Sequence, residues 1–173
     1  MKQILLIILL LFISCKSYYI KDIDMGVYNK YLKMCVIRNC ELSKIDPIIV
    51  FGLIKAESNF KKYARSSSGA MGYMQLKIPA MKDGLRFSGY TNLAIEVEKN
   101  PKLLYDTDIN ILAGTSYLRW ILEKRKPVDW MGLIAYYNSG YSDQVVGSYI
   151  IKIKRYYDKY SDEDINDAFR KMK

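Results

Sequence analysis

The 173-residue sequence contains no histidine, and this absence excludes several enzyme classes. Ser-His-Asp and Cys-His catalysis both use an imidazole base, and the usual zinc hydrolases use histidine ligands. Proton transfer in this protein must therefore fall to carboxylate, lysine, tyrosine or cysteine side chains.

Cysteine is scarce as well, since the chain has only three. Three thiolates are too few for a four-cysteine zinc site. Cys35 and Cys40 lie five positions apart, and on a helix this spacing turns their side chains to different sides. We therefore expect core residues or free thiols rather than a disulfide.

The chain also lacks an apolar run of the ~20 residues that a membrane-spanning helix requires. Its N-terminal run, residues 4–13, is shorter and has the length of the h-region of a secretory signal. The run ends at Ser14-Cys15, which resembles a bacterial lipobox with Phe12 in place of the usual aliphatic residue. The resemblance implies cleavage after residue 14 and acylation of the Cys15 thiol. An ordinary signal with an incidental cysteine is the alternative, and either interpretation exports the chain.

The order of segments predicts a signal peptide over residues 1–14, a lipidated cysteine with a short tether over 15–26, and one domain over 27–173. The formal net charge is +9, which favours a polyanionic partner. Export argues against nucleic acid as this partner, so an anionic membrane face or an acidic wall polymer remains. The alternative is that the positive charge only keeps the protein soluble.

The apolar pattern predicts a mainly α fold, because no segment alternates with a period of two over five or more residues. Residues 82–107 are expected to be irregular, since they contain two glycines and a proline. The first predicted helix covers about residues 27–40, and the second begins at Asp46 and Pro47. Two more are predicted with aspartate caps, at about 108–124 with Asp108 and at 129–140 with Asp129. The last two are predicted over residues 142–160 and from Ser161 onward.

Glu57 is the strongest candidate for acid–base chemistry. It lies near the C-terminal end of the most apolar predicted helix, where burial and the negative end of the helix dipole both disfavour a carboxylate. Both effects raise the pKa of an acid, which suits a proton donor. The alternative from spacing alone is a solvated glutamate in a salt bridge.

Three segments in order resemble the successive motifs of the soluble lytic transglycosylase (SLT) catalytic domain. They are Glu57-Ser58, residues 67–75 with the sequence SSGAMGYMQ, and residues 135–140 with the sequence AYYNSG. Asn100-Pro101, Asn110-Ile111 and residues 114–118 resemble the segment before the third motif. The resemblance covers about residues 27–160, and it implies a lysozyme-like helical domain with a glycan cleft.

The resemblance also implies an activity. Such enzymes cleave the β-1,4 bond between N-acetylmuramic acid and N-acetylglucosamine in peptidoglycan and leave a 1,6-anhydromuramoyl end, with no metal or cofactor. The resemblance implies that Glu57 is the sole acid/base and that Ser58 and Gln75 hydrogen-bond the sugar. It also implies that Met74 lines the cleft floor, that Tyr137 lies beside the glutamate and that Asn138 supports the cleft.

Two departures and two rival functions remain open. Tyr73 replaces the usual leucine. The stretch after Gly140 is short, and Gly147-Ser148-Tyr149 stands where family members often have a longer loop and an acidic residue before the tyrosine. A goose-type muramidase would share the fold but need a second carboxylate, and a non-catalytic peptidoglycan-binding lipoprotein would need no acid. Three further points are open. They are which membrane holds the lipid, whether the enzyme cuts glycan strands at their ends or in their interiors, and whether it serves wall turnover, division, secretion or flagellar assembly. Tyrosines 117, 149, 156 and 157 are expected in the core or at its rim.

Overall fold

A computed structural model describes residues 30–140 and 147–173. Two isolated β-bridges join Arg65 to Met71 and Met71 to Leu76, and the described residues contain no strand. The mainly α prediction is therefore confirmed. The helices are α1 (Lys30–Ser43), α2 (Pro47–Ser58), α3 (Ile78–Phe87), α4 (Thr91–Lys99), a 3-10 helix (Pro101–Tyr105), α5 (Thr107–Lys124), α6 (Trp130–Ser139), α7 (Gly147–Tyr160) and α8 (Ile165–Met172).

The start of α2 follows the predicted capping pattern. The Asp46 carboxylate accepts hydrogen bonds from the backbone N–H groups of Ile48 at 2.7 Å and Ile49 at 3.2 Å, and Pro47 occupies the first turn. These contacts satisfy donors that a helix start leaves unpaired. The helix is buried on nearly every side as far as Ile54, so its apolar sequence stabilises the core.

The predicted caps of two other helices have different outcomes. Asp129 accepts from Gly132 N–H at 2.8 Å and α6 ends at Gly140, as predicted. For α5 the prediction was wrong, because Asp106 and not Asp108 caps the helix. Asp108 instead forms an ion pair with Arg38 of α1, so a tertiary contact uses the carboxylate that local spacing assigned to the cap.

The irregular segment predicted over residues 82–107 is also wrong, because it contains α3, α4 and the 3-10 helix. Gly84 lies inside α3 and does not end it. A Cβ at this position would lie 2.5 Å from the backbone nitrogen of Tyr117, so the glycine allows α3 to approach α5 closely. The residue that suggested a break in the helix therefore serves helix packing.

The 18-residue α5 is the central scaffold, since it packs against α1, α3, α6 and the 3-10 helix. The other main contact is between α2 and α7, which brings residues 47–58 against residues 147–160. The terminal helix begins after its cap Asp164 rather than at Ser161, and residues 142–146 of the predicted long helix lie outside the described residues.

The two described cysteines, Cys35 and Cys40, are free and buried, as expected. No helix in the described part of the chain is long and apolar enough to cross a membrane.

Candidate functional site

Glu57 lies in the last turn of α2, where the helix emerges from the core and its side chain is partly buried. The helix ends at Asn59, whose left-handed backbone turns the chain away and whose N–H bonds the Lys55 carbonyl. The preceding apolar turns anchor α2 in the core, so they hold the carboxyl group at a defined position.

Two polar side chains contact the Glu57 carboxyl group. The Tyr149 hydroxyl of α7 donates a hydrogen bond to Glu57 Oε1, although the two residues are 92 positions apart. The Asn138 amide of α6 hydrogen-bonds both Glu57 and Tyr149. Three helices therefore meet at one carboxyl group.

The surroundings of Glu57 shift its pKa upward. Burial raises the pKa of Glu57 above its ordinary value, and the hydrogen bonds from Tyr149 and Asn138 partly oppose this rise because they stabilise the carboxylate. Burial also raises the pKa of Tyr149 well above its usual range, and the neighbouring Glu57 acts in the same direction. Tyr149 thus keeps its proton and remains a hydrogen-bond donor to Glu57.

Tyr137 connects this carboxyl group to the loop between α2 and α3. Its hydroxyl donates to the Met74 carbonyl oxygen at 2.7 Å. Burial raises the pKa of Tyr137 well above the ordinary tyrosine value, and the charge of Glu57 raises it further. Its ring centroid lies 5.7 Å from that of Tyr117, so the ring is held from α5 as well.

Hydrogen bonds from two side-chain amides hold the loop between α2 and α3. Asn110 of α5 is fully buried, accepts a hydrogen bond from Met74 N–H at 2.9 Å, and donates to the carbonyls of Met71 and Leu104. The Gln75 amide donates to the carbonyls of Ala64 at 3.0 Å and Gly72 at 2.9 Å. These contacts give the loop one conformation beside α6.

Some of the predicted site residues lie at the Glu57 carboxyl group, and others are buried in the protein. Glu57 and Asn138 are in direct contact, and Tyr137 approaches both them and the loop. The Ser58 hydroxyl points into α2 and donates to the Ile54 carbonyl at 3.1 Å, while the Met74 side chain is fully buried against Gly114. Cys15 lies outside the described residues.

Sequence reasoning named two residues of this arrangement without assigning their roles. Tyr149 was expected in the core or at its rim, and its contact with Glu57 is evident only in the folded chain. Asn110 was named only within the segment that resembles the one before the third motif, although an asparagine within the apolar pattern of α5 is a signal that a buried amide is needed there. Tyr73, the residue in place of leucine, is 3% exposed and belongs to the core.

Within the described ranges, no group of three or more Cys, Asp or Glu side chains is placed to hold a metal ion. The chemistry that the arrangement supports is proton donation and acceptance by one carboxyl group. Residues 34–150 match the family described as the Transglycosylase SLT domain.

The chain belongs to the SLT transglycosylase family. Among relatives of known name, it is 33% identical over 141 residues to membrane-bound lytic murein transglycosylase E of Buchnera aphidicola, covering 72% of this chain and 64% of that protein. It is 34% identical over 105 residues to membrane-bound lytic murein transglycosylase C of Mannheimia succiniciproducens, covering 56% of this chain and 28% of that protein. The chain therefore spans less than two thirds of either relative.

A solved structure has the same fold. An inactive mutant of the lytic transglycosylase Slt from Pseudomonas aeruginosa superposes with a TM-score of 0.52 over 81% of this chain and 20% of its own length, at 21% identity. This likeness confirms the lysozyme-like helical fold expected for the family.

Proposed function

We propose that the protein is a peptidoglycan lytic transglycosylase with Glu57 as its catalytic acid and base. The observation that carries the proposal is the partly buried Glu57 carboxyl group, with its raised pKa, held by Tyr149 and Asn138 in a member of the SLT family. The substrate is the β-1,4 bond between N-acetylmuramic acid and N-acetylglucosamine.

The proposed reaction needs only this one carboxyl group. Protonated Glu57 donates its proton to the glycosidic oxygen, the bond from C1 to that oxygen breaks, and the neighbouring acetamido carbonyl stabilises the cation at C1. The Glu57 carboxylate then accepts the proton of the muramoyl C6 hydroxyl, whose oxygen bonds to C1. Glu57 is protonated again, no water is consumed, and the tethered hydroxyl has an entropic advantage over water.

The carboxyl groups of other described residues support a single-acid mechanism. Ordinary glycosidases need two carboxyl groups near the scissile bond. Asp83 and Glu96 are exposed, and no carboxylate of the described residues contributes to the pKa of Glu57. The other described acids include helix caps and ion-pair partners, namely Asp46, Asp106, Asp129 and Asp164 as caps and Asp108, Asp158, Asp167, Glu98, Glu123 and Glu163 in ion pairs.

We further propose that the glycan lies in a cleft along the loop and α6. Asn138 is exposed beside Glu57, and Gln75 is partly exposed, so both can reach a sugar. Tyr137 and Met74 would support the cleft through their mutual hydrogen bond. Ser58 is buried and its hydroxyl donates to the Ile54 carbonyl, so we place it in support of the helix end that carries Glu57.

The remaining proposal concerns location. We infer that the chain is exported and held by a lipid on Cys15, with residues 1–14 removed, residues 15–26 as tether and residues 27–173 as the catalytic domain facing the periplasm or wall. The apolar run before Ser14-Cys15 supports it, and the two relatives are named as membrane-bound.

Digestion of purified peptidoglycan tests the enzymatic proposal. We expect the full chain to release muropeptides that end in 1,6-anhydromuramic acid, and Glu57→Gln to lower the rate by at least about a hundredfold because its amide cannot donate an acidic proton. Glu96→Gln, an exposed glutamate of α4, serves as the matched control and should keep wild-type activity.

Mass analysis of the products separates the alternatives. Muramic acid ends that borohydride reduces, heavier by one water, would reject the transglycosylase in favour of a muramidase. Absence of cleavage by the wild-type chain on any wall preparation would favour a non-catalytic role, and wild-type activity in folded Glu57→Gln would reject Glu57.

A further inference from the structure

A concave surface lies where α7 packs against the end of α2. We call it the basic groove, and it has a volume of about 610 Å³. Pockets of roughly 300–1,000 Å³ hold ligands of the size of a short peptide. Four cationic side chains and two tyrosines line most of it: Lys55 from α2, and Lys152, Arg155, Tyr156, Lys159 and Tyr160 from α7.

The charge of the basic groove is one-sided. None of the residues that line it is acidic, and Lys55, Lys152 and Arg155 form no ion pair within the described residues. Asp158 is the only acidic residue of α7, and it is paired with Lys154 at 2.7 Å on the other side of the helix. A concave surface lined by one sign of charge concentrates ligands of the opposite sign.

Aromatic rings form the base of the basic groove. Tyr156 and Tyr160 are buried with their ring centroids 4.7 Å apart, and Phe60 packs against Tyr156 at 6.3 Å. The Lys159 ammonium lies 4.8 Å from the Tyr160 ring centroid, and that of Lys55 lies 5.8 Å from the Phe60 ring centroid. These contacts hold cationic groups at the walls, so the surface is suited to a ligand with several anionic groups.

The basic groove and the Glu57 carboxyl group lie on different sides of α2. Lys55 and Asn59 are one turn apart on the groove side, whereas Glu57, two residues from each, points about 200° away around the helix. The same α7 serves both sites, because Tyr149 contacts Glu57 and Lys152 follows one turn later in the groove. The basic groove is therefore lined by residues other than those that contact Glu57, and the two surfaces share α7.

We propose that the basic groove binds the carboxylate-bearing peptide stem attached to the muramic acid residue. This inference rests on the proposed function, and it adds a second recognition element to it. The glycan backbone of peptidoglycan is uncharged, so among the parts of peptidoglycan only the stems can match four cations. Lys152 lies about 4.5 Å along the α7 axis from Tyr149, which contacts Glu57. A stem of four residues spans ~13 Å when extended, so it is long enough to reach the groove from the site at Glu57. The concave shape favours such a chain over a flat membrane surface.

Binding of a synthetic, sugar-free stem tetrapeptide with free carboxyl groups tests the proposal. We would measure fluorescence anisotropy on the full chain carrying Glu57→Gln, so that the result does not depend on cleavage. The double variant Lys152→Gln/Arg155→Gln should weaken binding by at least about tenfold, and added salt should weaken binding to the parent chain. Lys154→Gln, an exposed lysine of the same helix outside the groove, is the matched control and should bind within about twofold of the parent.

Three results would overturn the proposal. The first is equal affinity of the parent chain and the groove double variant for the peptide, or an equal loss in Lys154→Gln. The second is unchanged binding when the peptide carboxyl groups are amidated. The third is absence of peptide binding, including the case in which the parent chain binds anionic phosphatidylglycerol vesicles instead. Cleavage of peptidoglycan by the wild-type chain is measured separately, so the proposed function can stand if the groove proposal fails.

Discussion

At the scale of single residues, opposing influences set the protonation of Glu57. Burial disfavours the carboxylate and raises the pKa, while hydrogen bonds from Tyr149 and Asn138 stabilise the carboxylate and lower it. In the proposed reaction, this rise favours the protonated group that donates to the glycosidic oxygen. The same two hydrogen bonds then hold the carboxylate for the second proton transfer, so one side chain can serve as both acid and base.

Tyr149→Phe tests this balance. The substitution keeps the ring but removes the hydroxyl, and with it a contribution that lowers the pKa of Glu57, so that pKa rises further. Because protonated Glu57 starts the reaction, the pH at which activity falls on the alkaline side should move upward. The maximal rate should also fall, by at most about a hundredfold, because the carboxyl group loses a positioning contact. The pH dependence of peptidoglycan lysis measures both effects.

Tyr90→Phe is the matched control for that experiment. Tyr90 is an exposed tyrosine at the start of α4, and its substitution should leave the rate and the pH profile unchanged. An unaltered alkaline limb in Tyr149→Phe, or an equal shift in Tyr90→Phe, would show that the hydrogen bond does not tune Glu57.

At the scale of elements, the loop between α2 and α3 depends on contacts with α5. Gly72 has a φ of 78° and donates its N–H to the Ala64 carbonyl at 2.9 Å. A Cβ on Gly72 would lie 2.2 Å from Asn110 Nδ2 and 2.4 Å from the Leu104 carbonyl oxygen. Gly69 has a similar φ of 85°, but a Cβ there would meet nothing within 4 Å.

Comparing alanine substitutions at Gly69 and Gly72 separates the effect of backbone strain on stability from the effect of packing. Gly69→Ala should lower the free energy of unfolding by about 1 kcal/mol, since it incurs left-handed strain alone. Gly72→Ala should lower it by about 3 kcal/mol or more, because its new methyl group also displaces Asn110. Urea denaturation measures both values. Equal losses would mean that the Asn110 contacts do not hold the loop.

At the scale of the whole molecule, helix packing assembles the site from distant segments. The α2–α7 contact brings Tyr149 to Glu57, and α6 adds Asn138. The same pair of helices also lines the basic groove, where part of the +9 net charge is concentrated. One pair of crossed helices therefore supports both proposed recognition surfaces.

The lipid anchor is a further prediction about the whole chain. We expect metabolic labelling with a fatty acid to mark the wild-type protein and to be lost in Cys15→Ala, because acylation requires that thiol. Cys40→Ala is the matched control and should keep the label, since Cys40 is buried in the fold. Equal labelling of wild type and Cys15→Ala would reject the lipobox interpretation.

Some features of this protein follow from its sequence alone. The helical class, the Asp46 and Asp129 caps, and the place of Glu57 at the end of an apolar helix were predicted correctly, because periodicity and capping act over a few neighbouring residues. The order of the three motifs likewise indicated the SLT family, which the match over residues 34–150 shows.

Other features were decided by the tertiary structure. Gly84 suggested a break in the helix until its approach to α5 was known, and Asp108 suggested a cap until its pairing with Arg38 was known. The sequence predicted a core or rim position for Tyr149, and only the packing of α7 against α2 places its hydroxyl on Glu57. The physical reason is the same in each case: the effect of a small, charged or aromatic side chain depends on the partner that packing brings to it, and that partner lies far away in the sequence.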